Sequence, residues 1–209
     1  MFTEYLLDML RALSASLQTP VIVVLLLLAA IVIVMLGTLI AEFFTERRLL
    51  KVKLPRLVDE IKQPEADLAA VIQHSGLLRR QRELLLELTA HPELTSVMRE
   101  ALARRLIYQE QAHYDRITKI TDTAAKLGPI LGLLGTLIPL GPGLIALGQG
   151  DTYTLSRSLL TAFDTTVAGL AIAAVAFIIS GIRKGWYENY MTATEAIALC
   201  LLEREGGGG

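Results

Sequence analysis

Residues 127–150 read LGPILGLLGTLIPLGPGLIALGQG and contain no charged side chain; residues 158–182 read SLLTAFDTTVAGLAIAAVAFIISGI and contain one, Asp164. About 20 apolar residues in a helix cross the hydrocarbon core of a bilayer, so each segment is long enough to span it. Both segments carry threonine and glycine, and one carries proline, where a simple anchor would carry leucine. Such residues are typical of helices that pack closely or line a path for a polar species.

A third apolar segment lies near the start of the chain and has the composition of a plain membrane anchor. Residues 21–36 are an unbroken apolar run rich in valine, isoleucine and leucine, and no polar side chain follows before Thr38. Over the whole chain 53% of the residues are hydrophobic, and the mean hydropathy is +0.49. These values predict an integral membrane protein with three spans.

Composition also limits the chemistry that the chain can perform. The formal net charge of -1 gives no support to nucleic-acid binding, and the single cysteine, Cys200, excludes an intrachain disulfide. No nucleophile–base pair and no phosphate-binding loop is recognisable in the sequence, and His74, His91 and His113 lack the spacing of a metal site. We therefore predict no enzyme, no metal and no cofactor.

Basic residues are concentrated on one side of the predicted spans. They follow the first span, precede the second and follow the third: Arg47, Arg48, Lys51, Lys53, Arg56, Arg116, Lys119, Lys126, Arg183 and Lys184. The 19 residues before the first span hold only Arg11, and the turn between the second and third spans holds only Arg157. Because basic flanks remain in the cytoplasm, this pattern predicts the N-terminus outside and the C-terminus in the cytoplasm.

The predicted fold class is an all-α membrane protein with a helical cytoplasmic domain between the first and second spans. The chain divides into an amphipathic segment (1–19), transmembrane helices (20–44, 127–149 and 157–183), the cytoplasmic domain (45–126), a C-terminal cytoplasmic helix (184–205) and a glycine tail (206–209). The amphipathic segment is either a helix on the membrane surface or an extension of the first span.

Helical periodicity organises the two cytoplasmic regions. Apolar spacing predicts one helix over residues 64–90 and another over 93–126 that continues into the second span. After the third span, Trp186, Tyr187 and Tyr190 predict an aromatic belt at the membrane interface. The last helix is predicted to pack on the cytoplasmic helices through Ile197, Leu199, Leu201 and Leu202, with Cys200 as a small packing residue.

Small residues predict close contact between the second and third spans. Gly128 and Gly132 are four residues apart, Gly135 follows them, and a helix with such a face lets another helix approach closely. On the third span, one side is formed almost entirely by small residues: Ala162, Thr166, Gly169, Ala173 and Ala176. These glycines are the predicted packing residues.

Polar side chains inside the spans are the candidates for an ion pathway. The hydroxyl of Thr136 either bonds back to its own helix or faces a polar path, and spacing alone does not decide between the two. Thr161 and Asp164 lie roughly opposite Thr166, while Thr165 is its direct neighbour. Asp164 is either shallow, paired with a group between subunits, or part of an ion-binding site, because an unpaired acid at mid-bilayer costs about 2.5–3.5 kcal/mol.

Two motifs in these spans resemble a known family. The text GPILGLLGT at 128–136, the text LLTAFDTTVAGLAIA at 159–173, and a large cytoplasmic insertion between the first two of three spans are together similar to the MotA/TolQ/ExbB proton channel family. By this resemblance, Thr136 and Thr166 match the threonines of the family's second and third spans. The chain has Thr161 where many ExbB-like members carry a glutamate, and Asp164 has no counterpart in the motif.

The resemblance implies a partner and a role. Members of the family form pentameric rings in the inner membrane around two copies of a single-span protein of the MotB/TolR/ExbD type, whose span carries a proton-accepting aspartate. Proton flow is coupled to rotation or force at the flagellum or the outer membrane. The resemblance therefore implies a lipid-embedded ring subunit of a proton-driven motor complex. The alternative is an oligomeric membrane scaffold that does not conduct.

Overall fold

Most of the chain that the structure covers is helical. The computed structural model describes residues 2–46, 54–63, 67–91 and 93–206. Its helices are α1 (Phe2–Ser16), α2 (Gln18–Glu46), α3 (Leu54–Ile61), α4 (Leu68–His74), α5 (Arg79–Thr89), α6 (Ser96–Gly148) and α7 (Thr152–Gly206). No strand occurs among these residues, and the predicted all-α fold class is confirmed.

Three helical segments are long and apolar enough to cross a membrane: Phe2–Phe44, Ser96–Gly148 and Thr152–Arg204. The prediction that the cytoplasmic helix continues into the second span agrees with the single long helix α6, which contains Pro129, Pro139 and Pro142. Arg47, Arg48, Lys51, Lys53 and the glycines at 207–209, which entered the sequence predictions, lie outside the described residues.

The chain forms two compact units, and the first comprises Met1–Gly37 and Lys119–Gly181. In this unit one stripe of α2 is buried at three- and four-residue spacing, formed by Val21, Leu25, Leu28 and Val32. Leu26, Ile33 and Val34 on the other side of the helix are more than 60% exposed. An apolar exterior of this kind is stable against lipid, since hydrocarbon does not penalise exposed leucine or valine.

A tight turn joins α6 to α7 in the first unit. Gly150 has φ 77°, a conformation that glycine adopts without steric cost, and Asp151 N–H donates to the carbonyl of Ala146 at 2.9 Å. The Asp151 carboxylate then accepts from Thr154 N–H at 3.0 Å and from Thr154 Oγ1 at 2.5 Å. Asp151 therefore caps the start of α7 immediately after α6 ends. The two helices are antiparallel, because Gly143 faces Ser158 near the turn and Gly128 faces Gly169 further from it.

The second unit comprises Thr38–Thr118 and Ile182–Gly209 and has an aliphatic core. Its buried members come from α3 to α7 and, for Leu77, from the connection between α4 and α5: Leu57, Ile61, Ile72, Leu77, Leu84, Leu85, Leu88, Ala103, Ile197, Ala198 and Leu201. The α7 residues of this core lie at three- and four-residue spacing, as expected for one helical face. Leu199 is 61% exposed, so its predicted packing on the cytoplasmic helices is wrong.

The predicted helix over residues 64–90 is two helices in the structure, and residues 64–66 of the predicted range lie outside the described residues. α4 begins after Asp67, whose carboxylate accepts from Ala69 N–H at 3.0 Å, and ends at His74, before the extended residue Ser75 with ψ 141°. An extended residue followed by Gly76 stops the helix, and α5 begins at Arg79. Hydrophobic spacing alone missed this break because Leu77, which lies between the helices, is itself buried.

The predicted aromatic belt is wrong for two of its three members. Tyr187 and Tyr190 are buried in the second unit, where the Tyr187 ring stacks on that of Tyr114 with centroids 4.3 Å apart. Beside them the buried amide of Gln81 donates to the carbonyl of Tyr190 and to Thr194 Oγ1, each at 3.0 Å. These rings are core residues because they bury a large apolar area.

Candidate ion-pathway site

The backbones of α6 and α7 touch in the first unit. A Cβ atom added to Gly169 would lie 2.5 Å from the carbonyl oxygen of Gly128 and 2.9 Å from the Cα of Gly132. A Cβ atom added to Gly128 would lie 2.6 Å from the carbonyl oxygen of Gly169. No residue larger than glycine fits these positions without a shift, so this contact leaves no space for water between the helices.

Thr165 continues this contact toward the α6–α7 turn. A Cβ atom on Gly135 would lie 2.6 Å from both Cβ and Oγ1 of Thr165, and the threonine is buried. Its Oγ1 lies 3.0 Å from the carbonyl oxygens of Thr161 and Ala162 in its own helix. The hydroxyl is therefore satisfied locally, and the side chain packs against Gly135 within the helix contact.

Thr136 and Thr166 lie at the edge of the contact rather than inside it. Each follows a contacting residue, Gly135 or Thr165, by one position, and each is half-buried. In an α-helix each residue is rotated by about 100° from the one before it. In two antiparallel helices, the residues that directly follow a contacting residue are therefore both rotated toward the same side of the pair. The two threonines therefore lie on one side of the α6/α7 pair, which we call the threonine side.

Both hydroxyls on the threonine side bond back to their own helix. Thr136 Oγ1 donates to the carbonyl of Leu133 at 2.7 Å, and Thr166 Oγ1 donates to that of Ala162 at 3.1 Å. A hydroxyl that donates one bond keeps acceptor lone pairs. Each threonine can therefore accept a hydrogen bond from a protonated carboxyl group or from water without breaking its existing bond.

Asp164 and Thr161 are not on the threonine side together with Thr166. Asp164 is exposed and precedes Thr166 by two residues, which corresponds to about 200° around the helix. Thr161 is half-buried and its Oγ1 donates to the carbonyl of Arg157 at 3.1 Å. The five candidate polar residues are thus divided among the helix contact, the threonine side and an exposed face.

Sequence reasoning missed a polar pair across α6 and α7 and a buried arginine. In the first unit Ser180 Oγ donates a short hydrogen bond to a carboxylate oxygen of Asp122. In the second unit Arg183, predicted only as a basic flank, is 1% exposed and donates to Glu42 and Thr38. Spacing could have found both features, because Ser180 follows Thr166 by two heptads and Arg183 follows the buried Ala176 by one.

Two charged groups outside the spans, Asp151 and His91, have pKa values shifted by their hydrogen-bond partners. The hydroxyl and backbone N–H of Thr154 hold the pKa of Asp151 below its ordinary value because both donate to the carboxylate. The hydrogen bond with Glu93 raises the pKa of His91, and the nearby Glu87 acts in the same direction. Both groups lie at the surface, and Asp151 belongs to the turn that joins α6 to α7.

The helices and their glycine contact define a multi-pass, all-α membrane protein. The comparison with known families assigns it further, because residues 68–196, more than half of the chain, match the MotA/TolQ/ExbB proton channel family. The chain belongs to this family, and the resemblance inferred from the two motifs is confirmed. The match includes α6 and most of α7, and with them Thr136, Thr166 and the glycine contact. A comparison with curated proteins gives no match.

Proposed function

We propose that this chain is the ring subunit of a proton-driven motor complex and couples proton flow to movement of a single-span partner. Membership of a proton channel family supports the general role. The observation that carries the specific proposal is the arrangement of Thr136 and Thr166 on one side of a helix pair whose interior is closed by glycine. By analogy with the family, five subunits surround two partner helices, each with an intramembrane aspartate.

In this proposal the proton travels beside the α6/α7 pair rather than between its helices. The backbone contact of Gly128 with Gly169 excludes water from the interior of the pair. The threonine side then faces the partner, and its hydroxyls accept a hydrogen bond from the partner's protonated aspartate and orient water around its ionised form. Hydroxyls suit this task because they neither bind a proton firmly nor repel a charge.

The other candidates have supporting roles in the proposal. Thr165 holds α6 against α7 through its contact with Gly135. Thr161 and Asp164 lie nearer the α6–α7 turn, where Asp164 pairs with a basic or hydroxyl group of a neighbouring subunit or serves the ion entrance. The protein spans the inner membrane with its N-terminus outside and its C-terminus in the cytoplasm, since the basic flanks stay inside.

Native mass spectrometry of the complex, purified from its own membrane through an affinity tag on this chain, tests the assembly. We expect five copies of the chain with two copies of a smaller membrane protein. A monomer or dimer without a partner would contradict the ring. The same preparation in vesicles is then assayed for proton uptake under an imposed voltage, and an assembled ring that conducts no protons would instead support the scaffold function.

A further inference from the structure

We propose that Asp122 is the carboxylate through which protons leave the threonine side toward the cytoplasm, and that Ser180 positions it. The proposal rests on the proton-conducting function proposed above and adds a residue to its path. Ser180 Oγ, which is buried, donates a short hydrogen bond to the carboxylate of Asp122 across the α6/α7 pair. Asp122 itself is half-buried. The bond from Ser180 holds its carboxylate in place, while part of the side chain remains accessible from outside the helix pair.

The register of the two helices connects this pair to the threonines. Asp122 precedes Thr136 by fourteen residues in α6, and Ser180 follows Thr166 by fourteen residues in α7. Fourteen residues are two heptads, so each member of the pair lies on nearly the same side of its helix as the corresponding threonine. Because the helices are antiparallel, Asp122 and Ser180 are both displaced from the threonines in the same direction, away from the α6–α7 turn. The displacement is about 21 Å along the pair, at about 1.5 Å per residue.

Between the Asp122–Ser180 pair and the two threonines, a proline in α6 frees one backbone acceptor. The intervening residues on this side include Ala125, Pro129 and Ala173, and the exposed Lys126 lies one turn from Asp122, about 40° around α6. Proline has no N–H, so position 129 donates no helical hydrogen bond to the carbonyl of Ala125. That carbonyl lies one turn from Asp122 and can hold a water molecule on the route from Thr136 to the carboxylate.

The proton balance of the step is simple. An O–H bond of a protonated water breaks as an O–H bond forms on the Asp122 carboxylate, which becomes neutral. That bond breaks again as the proton passes to cytoplasmic water and the carboxylate is restored. Ser180 keeps its own proton throughout and orients the acid, so it is a positioning residue. Asp164 does not share this route because it is exposed on another face of α7.

Proton flux into vesicles that contain the tagged, natively purified complex tests the inference. We expect Asp122→Asn to lower the flux at least about tenfold, since a positioned proton-transfer group typically contributes a hundredfold or more. Asp122→Glu, which keeps a carboxyl group, should retain most of the flux. If only the shape of the side chain mattered, asparagine would serve better than the longer glutamate. Asp115→Asn is the matched control, because Asp115 is an exposed acid one heptad earlier in the same helix.

The outcomes separate this inference from the proposed function. If the wild-type complex does not conduct, the proposed function fails; if wild type and Asp122→Asn conduct equally, only the role of Asp122 fails. Should native mass spectrometry show that Asp122→Asn does not assemble, the wild-type complex is treated with dicyclohexylcarbodiimide, which reacts with protonated carboxyl groups. Labelling of Asp122 in parallel with loss of flux would support the relay, and a conducting complex with Asp122 unlabelled would overturn it.

Discussion

The guanidinium of Arg183 in α7 donates from Nε to Oε2 of Glu42 in α2 at 3.2 Å, although Arg183 is only 1% exposed. A second bond runs to Thr38 Oγ1 at 2.8 Å. The three side chains tie the end of the first predicted span to the end of the third. A buried charge is tolerated only with such partners, since desolvation of an isolated ion costs several kcal/mol.

Removal of one member of the Arg183–Glu42 pair should destabilise the protein strongly. We expect Glu42→Gln to lower the free energy of unfolding by about 3 kcal/mol, because the buried guanidinium loses its charged partner. Replacing both residues, as in Glu42→Gln with Arg183→Met, should cost less than the sum of the two single changes. Thermal unfolding of the purified protein measures both. Asp8→Asn breaks the exposed pair with Arg11 and should change little; an equally small effect at Glu42 would contradict the assignment.

The glycine contact makes a prediction with a control in the same helix. Gly169→Ala should lower thermal stability and separate α6 from α7, because its Cβ would lie 2.5 Å from the carbonyl oxygen of Gly128. Gly181→Ala introduces the same methyl group in α7 where nothing lies within 4 Å. It should be neutral or stabilising by up to about 1 kcal/mol, since alanine is the better helix former. Equal melting temperatures for the two variants would refute the close contact.

The threonine side predicts a specific loss of proton flux. Thr136→Ala and Thr166→Ala should each reduce flux while leaving assembly intact, because both hydroxyls lie at the edge of the helix contact rather than within the core. Thr136→Ser and Thr166→Ser should retain most of it. Thr192→Ala is the control, since Thr192 is an exposed α7 threonine whose hydroxyl also bonds back to its helix. Unchanged flux in both alanine variants would remove these residues from the pathway.

The buried amide of Gln81 should matter for the stability of the second unit. Gln81→Leu removes the bonds to the carbonyl of Tyr190 and to Thr194 Oγ1, which keep their bond to each other, and takes from the N–H of Leu78 its side-chain acceptor. We expect a loss of about 1–3 kcal/mol in the free energy of unfolding. Gln111→Leu, at an exposed site of α6, serves as the control. A destabilisation by Gln81→Leu no larger than that of the control would show that the amide bonds are dispensable.

The Asp151 cap should make the α6–α7 turn sensitive to acid. The folded-state pKa of Asp151 is lowered by its bonds from Thr154, so ionisation favours the folded turn. The stabilisation is present above the ordinary pKa of aspartate and is lost as the pH falls through the lowered folded value. The difference in melting temperature between wild type and Asp151→Ala should therefore be largest near neutral pH and shrink in acid. A difference that does not vary with pH would contradict this cap.

Some features of the fold and the site were predictable because they depend only on residues that are close together in the sequence. Unbroken apolar length predicted three spans, and glycine spacing identified the residues that touch across α6 and α7. The family motifs carried the resemblance that the match over residues 68–196 confirms. The division at Ser75 and the burial of Tyr187 were not predictable from such patterns, because cap geometry and core position depend on what packs against them.

The sequence by itself determined the all-α class, the apolar segments and the glycine-rich faces, since these follow from composition and helical period along one segment. Only the tertiary structure decided which polar side chains are partnered and which side of the helix pair they occupy. Ser180 and Asp122 are 58 residues apart, and Arg183 and Glu42 are 141 apart. A hydrogen bond between residues so far apart in the sequence forms only when the helices pack in one register. That register depends on all the contacts between the helices together.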